Sequence, residues 1–221
     1  MFTRIARRYD LMNSLMTGGR HHAWRGRVAA AATEAPAGPA LDLATGTADL
    51  AIALRLRNPG RLIVGADFSD GMLQVGRGKL DAGRVARVPL LAADALALPF
   101  PDGGFDAATV AFGARNLADL DAGLREMARV VRPGGRVVVL EITAPERLRA
   151  AEGVWFDRVV PRLGRAVGGD GAAYAYLPAS AKRFPRPPEL AARMARAGLG
   201  DIRFRTFVGG LVALHHGRVA P

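Results

Sequence analysis

The sequence predicts an α/β protein: a doubly wound, mostly parallel sheet that closes with an antiparallel hairpin, with helical additions at its N-terminus and before the hairpin. Three observations predict it. Short apolar segments recur five times between residues 40 and 142, helical patterns separate them, and after residue 199 two apolar stretches flank "VGG". Strand, helix, strand in repetition requires right-handed crossovers and covers both faces of the sheet.

The strands are "ALDLAT" (40–45), "RLIVGAD" (61–67), "RVPLLAAD" (87–94), "FDAATVAF" (105–112) and "GRVVVLEI" (135–142). Each is an apolar run rather than an alternation, as expected of strands buried on both faces. "TADLAIALRLR", "DGMLQVGRGKLDAG" and "DLDAGLREMARVVRPGG" carry apolar residues three and four apart, and Pro-Gly-Gly stops the last of these helices. Residues 143–199 are too many for a plain crossover, so they predict helices near 154–167 and 186–197 together with a cap or lid. "GDIRFRTFVGGLVALHHGRV" reads as the hairpin. The first forty residues predict two more helices over the same edge. The division is a helical cap 1–39, a core 40–142, a lid 143–199 and a hairpin 200–221 within one domain.

A chain of 221 residues can bury a full core without disulfide or metal. It has no cysteine, which removes disulfides, thiolate zinc sites and Cys-ligated iron–sulfur clusters and fits a cytoplasmic protein. No apolar h-region follows the N-terminal charges, and no eighteen apolar residues run together. The net charge of +11 and pI of about 11.3 raise nucleic acid or an anionic membrane as partners. Only Lys79 and Lys182 among 31 basic residues are lysines, and the arginines are scattered through an Ala- and Gly-rich chain. Composition accounts for such a charge, and no nucleic-acid partner is expected. The start of the chain places Phe2, Ile5, Tyr9, Met12 and Met16 on one helical face and Arg4, Arg7 and Arg8 elsewhere. That pattern suits weak contact with anionic lipid or docking on the protein's own core.

Ligands of doubly wound sheets lie outside the carboxyl ends of the strands. This rule selects Gly46–Thr47, Asp67, Asp94, Arg115–Asn116 and Glu141. The first turn, "LDLATGTADLA", lacks both G-x-G-x-x-G and GK[ST], which excludes a dinucleotide or triphosphate grip. Asp42 on the strand, one glycine for close approach and Asp67 21 residues beyond it suit a ribose diol. Asp94 is placed to accept from an adenine amino group, its alternative being a helix N-cap. Ribose and adenine without pyrophosphate point to S-adenosylmethionine.

Five blocks stand in order along nearly the whole chain: "YDLMNSLMTGGRHHAW", "ALPFPDGGFDAATVAFGARN", "RVVRPGGRVVVLEIT", "AYAYLPASAKRFP" and "GGLVALHHG". Together they resemble the menaquinone and ubiquinone biosynthesis C-methyltransferase family, within the Rossmann-like class I methyltransferases. Ala48 stands where the family usually has Gly, Ala175 where Arg is usual, and His216 where Arg is usual. The resemblance implies cofactor contacts at Thr47, Asp67, Asp94 and Ala95, with Asp42, Gly46 and Met72 as neighbours. It implies methyl transfer from S-adenosylmethionine to a ring carbon of a polyprenylated naphthoquinol, demethylmenaquinol becoming menaquinol. Specificity for benzoquinol rather than naphthoquinol, and an oligomeric state such as a homodimer, stay open.

A quinol ring carbon attacks methyl once an ortho hydroxyl ionises, and ionising a phenol at pH 7 costs roughly 4 kcal/mol. A cation within reach lowers the phenol pKa by about 1 to 3 units. Arg115 is expected to supply that charge, with Asn116 donating to the same oxygen; the alternative for Arg115 is a salt bridge that pins the strand end. The proton is expected to leave through water, Tyr9, Asp10 or a histidine such as His21 or His215. His22 reads as solvated. Two rival classes are an RNA methyltransferase, which would need a thiolate, a radical cluster or an Asn/Asp-Pro-Pro-aromatic turn that the chain lacks, and a non-catalytic binding module, which would not need "FGARN" together with the N-terminal block.

Overall fold

The computed structural model describes residues 14, 17, 19–83, 85, 88–143 and 180–220. Phe2, Ile5, Tyr9, Asp10, Met12 and Met16, and the helix expected at 154–167, lie outside them. Helix α1 (Arg20–Thr33) precedes β1 (Ala40–Leu43), α2 (Asp49–Arg57), β2 (Ile63–Asp67), α3 (Asp70–Ala82) and β3 (Leu90–Ala92). There follow β4 (Phe105–Ala111), a 3-10 turn (Ala114–Asn116), α4 (Leu120–Val130), β5 (Val131–Ile142), α5 (Pro187–Arg196), β6 (Leu199–Phe207) and β7 (Val212–Val219). The seven strands form one sheet in the order β3-β2-β1-β4-β5-β7-β6, with β1 to β5 parallel and β7 antiparallel to both its neighbours.

Apolar runs made strands because the sheet is covered on both sides. Val138 and Leu140 of β5 pack with Trp24, Val28 and Leu54 of α1 and α2, while Val137 and Val139 pack with Leu124, Met127 and Leu190 of α4 and α5. Local chemistry fixes the helix starts: the Ser69 hydroxyl accepts from Met72 N before α3, and the Asp119 carboxylate accepts from Ala122 N before α4.

Two expectations are corrected by the structure, while the Pro-Gly-Gly stop holds and gains a second role: α4 ends at Val130, and residues 132–135 bulge out of β5, where pairing passes from Phe105↔Val131 to Ala107↔Arg136. The bulge needs its glycines: Gly134 has φ 75°, and a Cβ on Gly135 would lie 2.7 Å from the Asp106 carbonyl. The third strand is only Leu90–Ala92, since Pro89 has no N–H to give a ladder. Finally, α1 lies on a face of the sheet, against α2, β4 and β5, rather than over the strand ends.

β1 sits between β2 and β4, so the strand order reverses there. The crevice at their carboxyl ends is where this topology places a ligand.

Candidate active site

The turn after β1 is left-handed at every second residue: Ala44 (φ 49°), Gly46 (φ 56°) and Ala48 (φ 65°). Such alternation turns N–H groups toward one concavity. The Gly46 N–H donates to Asp67 Oδ2 at 2.8 Å, and the Ser69 N–H donates to Oδ1 at 2.8 Å. Asp67 is thereby held at the end of β2, and each oxygen can accept again. Burial pushes its carboxyl above the ordinary range, with the two N–H groups opposing. A side chain on Gly46 would meet nothing within 4 Å among the described residues, which leave space beside it.

Asp42 lies behind this turn and is 1 % exposed. The Thr45 hydroxyl donates to it at 2.6 Å and the Thr109 hydroxyl at 3.3 Å. Burial nevertheless pushes its carboxyl up to about 7, against those hydroxyls and the charge of Arg25. Asp42, Gly46, Thr47, Asp67, Met72 and Asn116 line one cleft. Asn116 Oδ1 is buried there with no partner among the described residues.

Thr47 is 2 % exposed, and Lys79 donates to its hydroxyl at 2.8 Å. Lys79 also meets Asp49 Oδ1 at 2.5 Å, and Arg25 of α1 meets Asp49 Oδ2 at 3.0 Å. Burial alone would raise the Asp49 carboxyl, but Arg25 and Lys79 outweigh it and hold it low. Asp94 is exposed and accepts from Leu96 N in a turn; no helix follows for it to cap. Neither Asp94 nor Ala95 is among the residues that line the cleft around Gly46.

Beyond β4 the backbone is again unusual. Phe112, expected as the last strand residue, has φ 60°, and its ring lies 6.2 Å from Trp24 and 6.0 Å from the Arg25 guanidinium. A left-handed aromatic is strained, and such strain gathers at functional sites. Gly113 has an ordinary φ of −113°, so it is not needed for the turn; a Cβ there would lie 2.5 Å from the Ala44 methyl. The glycine lets the loops after β1 and β4 touch.

Arg115 and Asn116 part company. The Arg115 guanidinium donates to Glu141 Oε1 and to the Phe112 carbonyl, both at 2.7 Å, and its N–H donates to Glu141 Oε2 at 3.2 Å. This is the salt bridge named as its alternative role. Arg115 lines a second cavity of about 200 Å³ with Leu117, Ser180, Arg183 and Phe184, whereas Asn116 faces the first. The 3-10 turn is thus the wall between two cavities.

Of the candidate proton acceptors, Tyr9 and Asp10 lie outside the described residues. His21 is 1 % exposed, not a solvated helix start; its Nε2 meets the Ser14 hydroxyl at 3.0 Å and its Nδ1 faces Arg25 Nη1. It lines neither cavity. His22 is exposed. His215 lies in β7, stacked on Phe204 and bonded to the Pro187 carbonyl at 2.9 Å, with burial pushing it down to about 4. It is a neutral core residue.

The sequence reading missed Arg25 and Phe68. Arg25 reaches the cleft from α1, and Phe68, next to Asp67, is 83 % exposed. An apolar ring left in water beside a site for a ribose was the signal available for Phe68.

The residues present fit S-adenosylmethionine. Asp67 has lone pairs for a diol, Gly46 leaves space for close approach, and the buried acid Asp42 and the Asn116 oxygen, without a partner among the described residues, suit a cation or donor. Solved structures share the fold: a SAM-dependent methyltransferase from Thermotoga maritima (TM-score 0.69, 19 % identity, 98 % and 97 % of the two chains) and the [4+2]-cyclase SpnF (TM-score 0.72, 17 % identity, 100 % and 96 %). Sequence likeness is closer. A demethylmenaquinone methyltransferase of Thermus thermophilus is 48 % identical over 219 residues, 98 % of this chain and 99 % of that one. Its counterpart in Roseiflexus castenholzii is 46 % identical over 98 % and 91 % of the two chains. Residues 1–219 match the ubiE/COQ5 methyltransferase family, and the chain belongs to it.

Proposed function

We propose that this S-adenosylmethionine-dependent C-methyltransferase acts on a polyprenylated naphthoquinol, converting demethylmenaquinol to menaquinol. The observation that carries the reading is the 48 % identity to a demethylmenaquinone methyltransferase across practically the whole of both chains.

S-adenosylmethionine supplies an electrophilic methyl on a sulfonium. In the cleft, Asp67 accepts from the ribose hydroxyls, Gly46 and Thr47 give the backbone approach, and Asp42 faces the amino-acid end, where a cation returns its raised pKa toward the ordinary range. Met72 packs behind the turn, 3 % exposed. Asp94 and Ala95 stand at the end of β3 for the adenine edge, and Phe68 flanks it. The second cavity, across the Ala114–Asn116 turn, takes the quinol ring, with Phe184 and Leu117 against its apolar face.

Arg115 presents its charge to the quinol oxygen from that cavity wall. Because Glu141 already neutralises much of it, the phenol pKa falls toward the small end of the range for a nearby cation, about 1 unit. Asn116 lines the cleft proposed for the cofactor and not the second cavity, so it is not assigned to that oxygen. His21 holds Arg25 instead of taking the proton. The prenyl tail of such a substrate partitions into lipid, so the reading includes peripheral contact with the cytoplasmic face of a membrane; no helix of the described residues is long and apolar enough to cross one.

The test is methyl transfer from labelled S-adenosylmethionine to reduced demethylmenaquinone, to a benzoquinol analogue and to bulk RNA. Label is expected in the naphthoquinol; label in RNA alone overturns the reading.

A further inference from the structure

The amino-acid end of S-adenosylmethionine carries an ammonium and a carboxylate. The cleft offers the ammonium three acids, Asp42, Asp49 and Asp67. An anion entering the same space needs a cation, since burying it unpaired is costly. The start of α2 is no substitute, because Asp49 occupies its first turn. Among the described residues that line the cleft, the cation is Arg25.

Arg25 has the form of a built receptor. It is 6 % exposed, on α1, with its guanidinium by the Phe112 ring. Its contacts with Asp49 and His21 are all made by Nη1, and Nη2 and Nε make none with the described residues. The fork therefore has one edge held and donors to spare for a carboxylate, which guanidinium geometry matches. Asp49 would not be orphaned if Arg25 were shared, because Lys79 meets its other oxygen at 2.5 Å. His21, facing Nη1 with Nδ1, fixes the arginine's direction.

We propose that Arg25 binds the cofactor's α-carboxylate, with Asp49 and His21 holding the guanidinium in place beforehand. The proposal rests on placing the cofactor at the β1 turn. It makes α1 part of the cofactor site, joined to the sheet through the ligand itself.

Calorimetric titration with S-adenosylhomocysteine and with its analogue lacking the carboxylate tests this. The unmodified protein is expected to prefer S-adenosylhomocysteine by about 10- to 100-fold, the worth of a charge-assisted hydrogen-bonded pair. Arg25→Gln is expected to erase the preference while binding the analogue within about 3-fold of the unmodified protein, and Arg25→Lys to keep part of it. A preference retained in Arg25→Gln, or an equal loss of both ligands, overturns the role. Asp67→Asn is expected to weaken both ligands alike with the preference intact. Unchanged affinity for both in Asp67→Asn overturns the cofactor placement, and the role with it.

Discussion

Asp42 and Glu141 are both buried acids, 1 % and 0 % exposed, near the carboxyl ends of parallel strands in one sheet, yet their surroundings differ in kind. Glu141 has a guanidinium and two N–H groups, from Arg115 and Ile142, within 3.2 Å. Asp42 has two hydroxyls and the charge of Arg25 but no paired guanidinium, and burial pushes its carboxyl up to about 7. The end of β5 is satisfied by the protein alone and keeps the turn after β4 in shape. The end of β1 is unsatisfied, strained and open. Within one structural edge, the closed region is scaffold and the unsatisfied region awaits a ligand.

The largest expected effect breaks the closed side. Glu141→Ala leaves the Arg115 guanidinium, 7 % exposed, without its counter-ion. A loss of about 3–5 kcal/mol is expected from urea unfolding, and a loss under about 1 kcal/mol would remove the distinction drawn between the two ends. Next comes the pH dependence of the open side. The folded pKa of Asp42 lies above its ordinary 3.8, so the folded state holds an extra proton between about pH 4 and 7. Stability from this source is full below pH 4, falls as pH rises, and is gone above 7. Relative to Asp42→Asn, the unmodified protein should lose up to about 4 kcal/mol across that window, at about 1.36 kcal/mol per unit. A flat difference curve means that Asp42 is ionised throughout. The smallest effect concerns strain. Ala48→Gly relieves a left-handed alanine at φ 65° but gives up a buried methyl and adds freedom to the unfolded chain. These offset to within about 1 kcal/mol in the melting curve, and a larger gain would mean that the strain is worth more than the contact.

What the sequence made legible follows from distance along the chain. Gly46, Asp67 and Asn116, which line one cleft, were selected by one rule, that ligands meet the carboxyl ends of strands, and each sits at the end of its strand or on the turn that follows. The hairpin and α5 were equally local readings. Arg25 was hidden because it comes from a helix before the sheet begins, and nothing in "HHAWRGR" says which strand end its side chain will reach. Glu141 and Arg115 were both noted, but their pairing depends on β4 and β5 lying side by side in register, from Ala107↔Arg136 to Ala111↔Leu140. The Pro-Gly-Gly was half legible: as a local stop signal it marked the end of α4, but its place in a bulge against Asp106 depends on the pairing of β4 with β5.

The last strand in chain order, Val212–Val219, lies inside the sheet, between β5 and the edge strand β6. During synthesis, β5 therefore waits with a bare hydrogen-bonding edge of Val and Leu until some seventy further residues have been made, an exposure that invites pairing with other chains. The arginines of "IRFRTF", which β6 turns outward once folded, guard the finished edge but not the unfinished one. In a cell, the interval before β7 arrives is when this protein has most need of a chaperone.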